Sequence, residues 1–454
     1  MKLHPRQIAG YGAGDAANNL AFSMSTMFLL LYYTDVAGIP AVLAGTIFLV
    51  VRIWDGVTDL IAGGLVDRSS SRWGKFRPWL LFASLPLLLL SVATFWVPDW
   101  GLAGKLIYAY VTYAAMCTAY SFVNIPYGSL AAAMTQDPVE RTKLATARSM
   151  GYALVALVLA VVVSPQIENS ADLQSSLTWT TSVFVVVGFG LYLFTFATAK
   201  ETVHREVEQV SWKQSVASLR TNRPLILLCL SSLVLLSALF SVQTMGVYYA
   251  RDVLGNANVY IAIMLAKTGT MFLAAPLAPR IVRRFGKKAG YTGGGVVAII
   301  GFLGITVVPA SMLALAIGFF VVSGFGLGLI STLMWSFEAD TVEYGEWRTG
   351  VRSEGATYAV YSFVRKVGQA LGGASASFTI GLAGYVGGAS VQTEAAVWGI
   401  RLASGLVPAL LTVLALAIMV AYPLTEQRFG EITEELRQRR SERGSETSAS
   451  VSEA

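Results

Sequence analysis

Residues 51–67 read "VRIWDGVTDLIAGGLVD". The segment is apolar enough to lie in a membrane, yet it holds two aspartates, Asp55 and Asp59. Four residues apart on a helix, they share one face. Carboxylates in hydrocarbon are costly, and ionisable residues inside a span mark function by default. If this stretch crosses a bilayer, its acidic face points into a protein interior and the whole chain is a membrane protein.

The rest of the sequence agrees with that reading. Of 454 residues, 55% are hydrophobic and 13% charged, and the mean hydropathy is +0.60. A soluble globular chain carries about 25% charged residues. Windows of about 20 apolar residues give twelve expected spans. Six lie at 10–34, 40–66, 78–97, 104–134, 143–164 and 176–199; six more at 224–250, 258–282, 289–309, 311–336, 355–386 and 397–422. The expected fold is all-α, with two six-helix bundles at 1–199 and 224–422. A polar connection at 200–223 joins them, and a polar tail at 423–454 should be helical at first and then disordered. In the connection, Trp212, Val216 and Leu219 are spaced for one face of a helix lying on the membrane.

Composition also excludes several classes. The net charge is +6, but the basic residues sit in short loops and the tail, as topology requires, and point to no nucleic-acid partner. Cys117 and Cys229 each lie in an apolar segment, so no disulfide framework is expected. His4 and His204 fall outside the spans, and no metal-ligand spacing occurs. No cofactor is implied beyond a coupling ion. The N-terminus lacks a signal-peptide layout. Loops after spans two, four and eight are rich in Lys and Arg, while the alternate loops hold few, chiefly Lys105 and Arg251. By the positive-inside rule both termini are cytoplasmic.

An internal repeat supports two related halves. "LVDRSSSRWGKFRPW" after span two resembles "LAPRIVRRFGKKAGY" after span eight, with Gly74-Lys75 matching Gly286-Lys287. Such repeats are characteristic of transporters. Gly64, Asp67, Arg68 and Lys75 also resemble the loop signature of the major facilitator superfamily; the plainer alternative is that they only fix topology.

The polar residues inside the spans suggest two sites. Asp55 and Asp59, with Thr58 beside them and Ser121 on span four, can ligate one small cation or share a proton. Alternatively Arg52 simply pairs with Asp55 three residues on. Asp15, Asn18, Asn19 and Phe22 stripe span one, and Tyr120, Asn124 and Tyr127 stripe span four. Amides, phenols and ring faces suit a sugar, although Asn residues also bond between membrane helices. Arg148 lies near a helix start, with Tyr361, Arg365 and Lys366 on span eleven. Of that last pair Lys366 is the one expected at the substrate or the carboxylates, and Arg365 is expected to pair with Asp15 or another acid. Lys267, mid-way along span eight, faces a cavity, a partner or a snorkelling path. After span ten, Glu338, Asp340, Glu343 and Glu346 form an acidic loop opposite the basic ones, a candidate gate or a solvated surface.

These stretches resemble the glycoside–pentoside–hexuronide:cation symporters, the melibiose-carrier branch of the major facilitator superfamily. The likeness runs through "YGAGDAANN", "YYTDVAG", "RIWDGVTDLIAGGLVDRSSSRWGKFRPW", "YSFVNIPYGSL", "EADTVEYGEWRTGVRSEG" and "RKVGQALGG", and within the family it is strongest to the glucuronide carriers. It implies a multi-pass bacterial inner-membrane carrier, monomeric as a functional unit, with a small sugar substrate and alternating access. It implies a cation site at Asp55, Thr58, Asp59 and Ser121, and a sugar site between spans one, four, five and eleven. Melibiose-type carriers have two aspartates where this chain has Asn19 and Asn124, while Arg148 and Lys366 keep their positive charge. An anionic sugar then meets less like charge, so a glucuronide coupled to H⁺ or Na⁺ is expected. A neutral xyloside or galactoside is the alternative. "GAGD" at 12–15 also matches intramembrane aspartyl proteases, but such an enzyme needs a second aspartate aimed at the first. No enzymatic activity is expected.

Overall fold

The computed structural model describes residues 3–69, 71–135, 137–202, 221–350, 354–389 and 391–452. The expected surface helix at Trp212, Val216 and Leu219 lies outside them. Among the described residues there are helices and loops only. In chain order the helices are α1 Pro5–Leu31, α2 Ala41–Arg68, α3 Arg77–Phe82, α4 Ser84–Thr94, α5 Leu102–Met134, α6 Pro138–Asn169 and α7 Leu173–Thr198. There follow α8 Arg223–Tyr248, α9 Val259–Phe285, α10 Lys287–Val307, α11 Leu313–Thr349, α12 Glu354–Leu382, α13 Glu394–Arg401, α14 Val407–Val420 and α15 Glu426–Ser452.

Their starts follow from local chemistry. His4 caps α1, accepting from the backbone of Arg6, with Gln7 returning to the His4 backbone and Pro5 in the first turn. Asn222 caps α8 ahead of Pro224, Asp172 caps α7 and Thr393 caps α13. Each side chain satisfies a backbone N–H that the first turn leaves without a partner.

Nine helical segments among the described residues are long and apolar enough to cross a membrane. The other three expected spans, 10–34, 258–282 and 355–386, are occupied by α1, α9 and α12. These are helices that carry Asp15, Lys267, and Arg365 with Lys366. Polar residues such as Asp15, Asn18 and Asn19 lower the mean hydropathy of α1, while α9 is apolar over Val259–Thr270.

α1–α7 pack among themselves, as do α8–α14. Three pairings join the two sets: α2 against α12, α1 against α8, and α6 against α9. Small residues allow the closest crossings. A Cβ on Gly151 of α6 would come within 2.5 Å of the Gly12 carbonyl oxygen on α1, so only glycine lets these backbones meet.

Two expectations are corrected. The acidic stretch after span ten is not a loop: α11 continues through Glu338, Asp340, Glu343 and Glu346 to Thr349. Nothing in it breaks a helix until Gly350, which takes the left-handed conformation (φ 72°) common at helix ends. The tail does not lose its helix early either, since α15 runs to Ser452.

The repeat seen in the sequence has a structural counterpart. Gly74 and Gly286 both have positive φ, 108° and 87°, and each precedes the start of a helix. The Glu201 carboxylate, just beyond α7, accepts the backbone N–H groups of Lys75, Phe76 and Arg77 at 2.8, 2.8 and 3.0 Å. The Glu426 carboxylate, just beyond α14, accepts from the Lys287 backbone. In both halves an acid from the chain's next exit neutralises a helix N-terminus.

Candidate functional site

α2 brings Asp55, Thr58 and Asp59 to one face, and α5 presents Ser121 to them. The fully buried Asp55 carboxylate accepts from the Ser121 hydroxyl at 3.2 Å and from Arg52 at 3.4 Å. The Thr58 hydroxyl donates to the Asp55 carbonyl at 3.0 Å and lies 3.2 Å from Ser121 Oγ. From across the α2–α12 contact, Lys366 Nζ reaches 3.2 Å from Asp55 Oδ2 and also pairs with Asp59. That contact is ionic: the ammonium sits at ion-pair distance from both carboxylates without a directed hydrogen bond. One Asp59 oxygen is buried with no hydrogen-bond partner. Two carboxylates thus face Arg52 and Lys366, and their charges balance.

A second polar cluster lies on α1 and α6. Arg148 Nε donates to Asp15 Oδ1 at 2.9 Å, and Asn19 Nδ2 donates to Asp15 Oδ2 at 2.9 Å. Asn19 in turn accepts from Ser23 at 2.9 Å. The pairing expected between Asp15 and Arg365 is therefore corrected. Arg148 takes Asp15, because the glycine crossing of α1 and α6 sets them side by side. Arg365 instead stacks on Trp335 and Tyr361, 4.7 and 5.9 Å from the ring centroids. Aromatic rings bridge the two clusters: the Arg52 guanidinium lies 4.9 Å over Phe22, and Phe22 stacks on Tyr120 at 5.2 Å.

Other expected residues sit apart. The Asn18 amide oxygen accepts from Tyr192 on α7 at 2.6 Å, away from Asp15. Tyr361 is fully buried and accepts from Ser232 on α8. Asn124 is half-buried on α5, one turn from Tyr120. Of the expected gating residues, Asp340 pairs with Lys287 of its own half, with contacts of 2.6 and 2.8 Å, and Glu343 lies one turn away on α11. Lys75 Nζ lies over the Phe76 ring, and Arg68 ends α2, exposed. The Asp67 side chain lies outside the described residues.

One constellation escaped the sequence reading. The last turns of α1 and α8 widen over Tyr32–Val36 and Tyr249–Val253. There Arg251 pairs with Asp35 at 2.9 Å, joining one half to the other. Tyr385, just after α12, donates to both Asp35 oxygens at 3.0 and 3.1 Å and receives a contact from Arg251. The Gly388 backbone donates to Asp35 at 3.2 Å. A signal existed: "YYTDV" at 32–36 recurs as "YYARDV" at 248–253.

Comparison with known proteins places this geometry. The sequence profile of the family described as MFS/sugar transport protein matches residues 10–426. The Glucuronide carrier protein homolog of Escherichia coli (strain K12) is 43% identical over 450 residues, 97% of each chain. The Uncharacterized symporter YjmB of Bacillus subtilis (strain 168) is 34% identical over 444 residues, 96% of each. The crystal structure of a bacterial homologue of the human lysosomal transporter Spinster, inward-facing and unoccupied, superposes with a TM-score of 0.69. It covers 95% of this chain and 99% of that one at 12% identity, a likeness of fold alone. With nearly its whole length matched, the chain belongs to the MFS/sugar transport family, as a multi-pass membrane transporter and not an enzyme.

Proposed function

We propose that this protein imports a glycoside, most favourably a glucuronide or other hexuronide, together with H⁺. Na⁺ is the alternative coupling ion, for which Thr58 and Ser121 supply neutral oxygens. The observation that carries the reading is Lys366, seated between Asp55 and Asp59. A bound cation competes with that ammonium for the same two carboxylates. Its arrival frees Lys366, and a mobile positive charge then faces a substrate carboxylate. Cation and anionic sugar thereby favour each other's binding, and the coupling is reciprocal. Arg148 and Asn19 hold the sugar side of the cavity, and Phe22 and Tyr120 offer ring faces.

Charge supports the substrate class. Away from the span ends, the carboxylates Asp15, Asp55 and Asp59 are outnumbered by Arg52, Arg148, Lys267, Arg365 and Lys366. An excess of two positive charges in a low-dielectric interior favours an anionic cargo. The likeness to a glucuronide carrier homologue points the same way.

The two bundles, 1–199 and 224–422, then rock about this site. Asp35, Arg251 and Tyr385 form a latch at the outer end, both termini are cytoplasmic, and one chain is the working unit. The test is uptake of labelled p-nitrophenyl β-glucuronide against melibiose and a xyloside, in Na⁺ and Na⁺-free buffer at two pH values. Glucuronide uptake that rises with the inward proton gradient and needs no Na⁺ supports the proposal. Preferential uptake of either neutral sugar contradicts the substrate; strict Na⁺ dependence contradicts the proton.

A further inference from the structure

α9 has one inward and one outward face. Tyr260, Ile263, Met264, Thr270 and Ala274 are 1%, 2%, 4%, 6% and 0% exposed, whereas Leu265 and Leu273 are 52% and 64% exposed. At 100° per residue, Lys267 falls in the middle of the buried stripe, opposite the leucines. It stands about 12 Å along the axis from Val259, too deep for the helix end to supply its partner. Its backbone is pressed against α11: a Cβ on Gly324 would lie 3.3 Å from Lys267 Cα. Tyr260, on this stripe, meets Phe28 of α1 edge-on at 5.9 Å, so the stripe borders the interface between the bundles.

The other cations within the spans are engaged. Arg52 and Lys366 serve Asp55 and Asp59, Arg148 serves Asp15, and Arg365 stacks on two rings. The Lys267 ammonium makes no hydrogen bond, ion pair or ring contact among the described residues. Two turns away on the same stripe, the Tyr260 hydroxyl is buried and also has no hydrogen-bond partner. An unneutralised ammonium inside a membrane protein is costly unless a partner arrives.

We propose that Lys267 is the cationic group of a carboxylate subsite on the second bundle, with Tyr260 as its neighbouring donor, selecting anionic over neutral glycosides. The inference rests on the hexuronide reading above and adds, beside the freed Lys366, a second cation that reads the substrate carboxylate. Lys267 pairs with the substrate carboxylate from α9, while Arg148 holds the sugar from α6. An anionic glycoside therefore bridges the two bundles, and a neutral one lacks the α9 contact.

The test compares p-nitrophenyl β-glucuronide with p-nitrophenyl β-glucoside, which differ at the carboxylate. Binding of each is measured by equilibrium dialysis on the full-length protein in nanodiscs, with Lys267→Met, Lys267→Gln and Lys267→Arg variants. The wild type is expected to prefer the glucuronide. Met and Gln should lower that preference roughly thirtyfold or more, through the glucuronide affinity, and Arg should retain most of it. Wild-type preference that survives in the folded Met or Gln variant overturns the role of Lys267 while leaving the hexuronide reading intact. A wild type with no preference overturns both. Equal losses for the two ligands in Met and Gln assign Lys267 to structure and overturn the subsite.

Discussion

Asp55 meets three partners from three elements: Arg52 on its own helix, Ser121 from α5 and Lys366 from α12. Replacing Lys366 by Gln leaves two acids facing Arg52 alone, so the coupling cation should bind more tightly and the anionic glycoside more weakly. The half-saturating cation concentration and the glycoside Kd, measured on the same preparation, should move in opposite directions. At the second cluster, Arg148→Ala leaves Asp15 buried without its guanidinium, and the thermal midpoint should fall. Asp15→Asn in the same molecule should recover part of the loss, with a coupling energy of about 0.5–3 kcal/mol between the two sites. The cluster of Asp55, Thr58, Asp59 and Ser121 was legible in the sequence, because one-turn spacing fixes a shared face. Lys366 was expected at the substrate or at these carboxylates, and the packing of α2 on α12, some 300 positions apart in the chain, sets it at the carboxylates. For the same reason Arg148, not Arg365, proved to be the partner of Asp15.

At the scale of elements, the apolar windows expected at 10–34, 258–282 and 355–386 fall on α1, α9 and α12, helices that also carry charge inside them. The acidic end of α11 looked like a loop by composition, yet charge alone does not stop a helix, and Gly350 does. Close crossings are set by glycines that meet backbone. Gly151→Val puts side-chain carbons against the Gly12 carbonyl, and thermal unfolding in detergent should show a loss of about 1–3 kcal/mol, with the Arg148–Asp15 pair disturbed. Gly318→Ala on α11 meets nothing within 4 Å and should leave the midpoint unchanged or raise it, as alanine favours a helix. Equal destabilisation by both variants would argue against the crossing as the cause.

At the scale of the whole molecule, two repeated devices relate the halves: the glycine turn capped by an acid from beyond the sixth span of each half, and the widened end of the first helix. The second pair of ends is drawn together by Asp35, Arg251 and Tyr385. Loss of one partner from such a half-buried cross-bundle pair favours opening at that end. Ser25→Cys, in the interior below the latch, should react faster with a membrane-impermeant maleimide from outside when Asp35→Ala is also present. An unchanged rate would mean that apolar packing, not the ion pair, holds that end shut. The central claim is that Asp55 and Asp59 couple a cation to glycoside movement. Its most direct test compares wild type with Asp59→Cys in proteoliposomes, measuring both accumulation of p-nitrophenyl β-glucuronide under an imposed proton gradient and its exchange with no gradient. The account predicts that the variant loses accumulation against a concentration gradient yet still exchanges glucuronide. Accumulation at the wild-type level in the Asp59→Cys variant would contradict it.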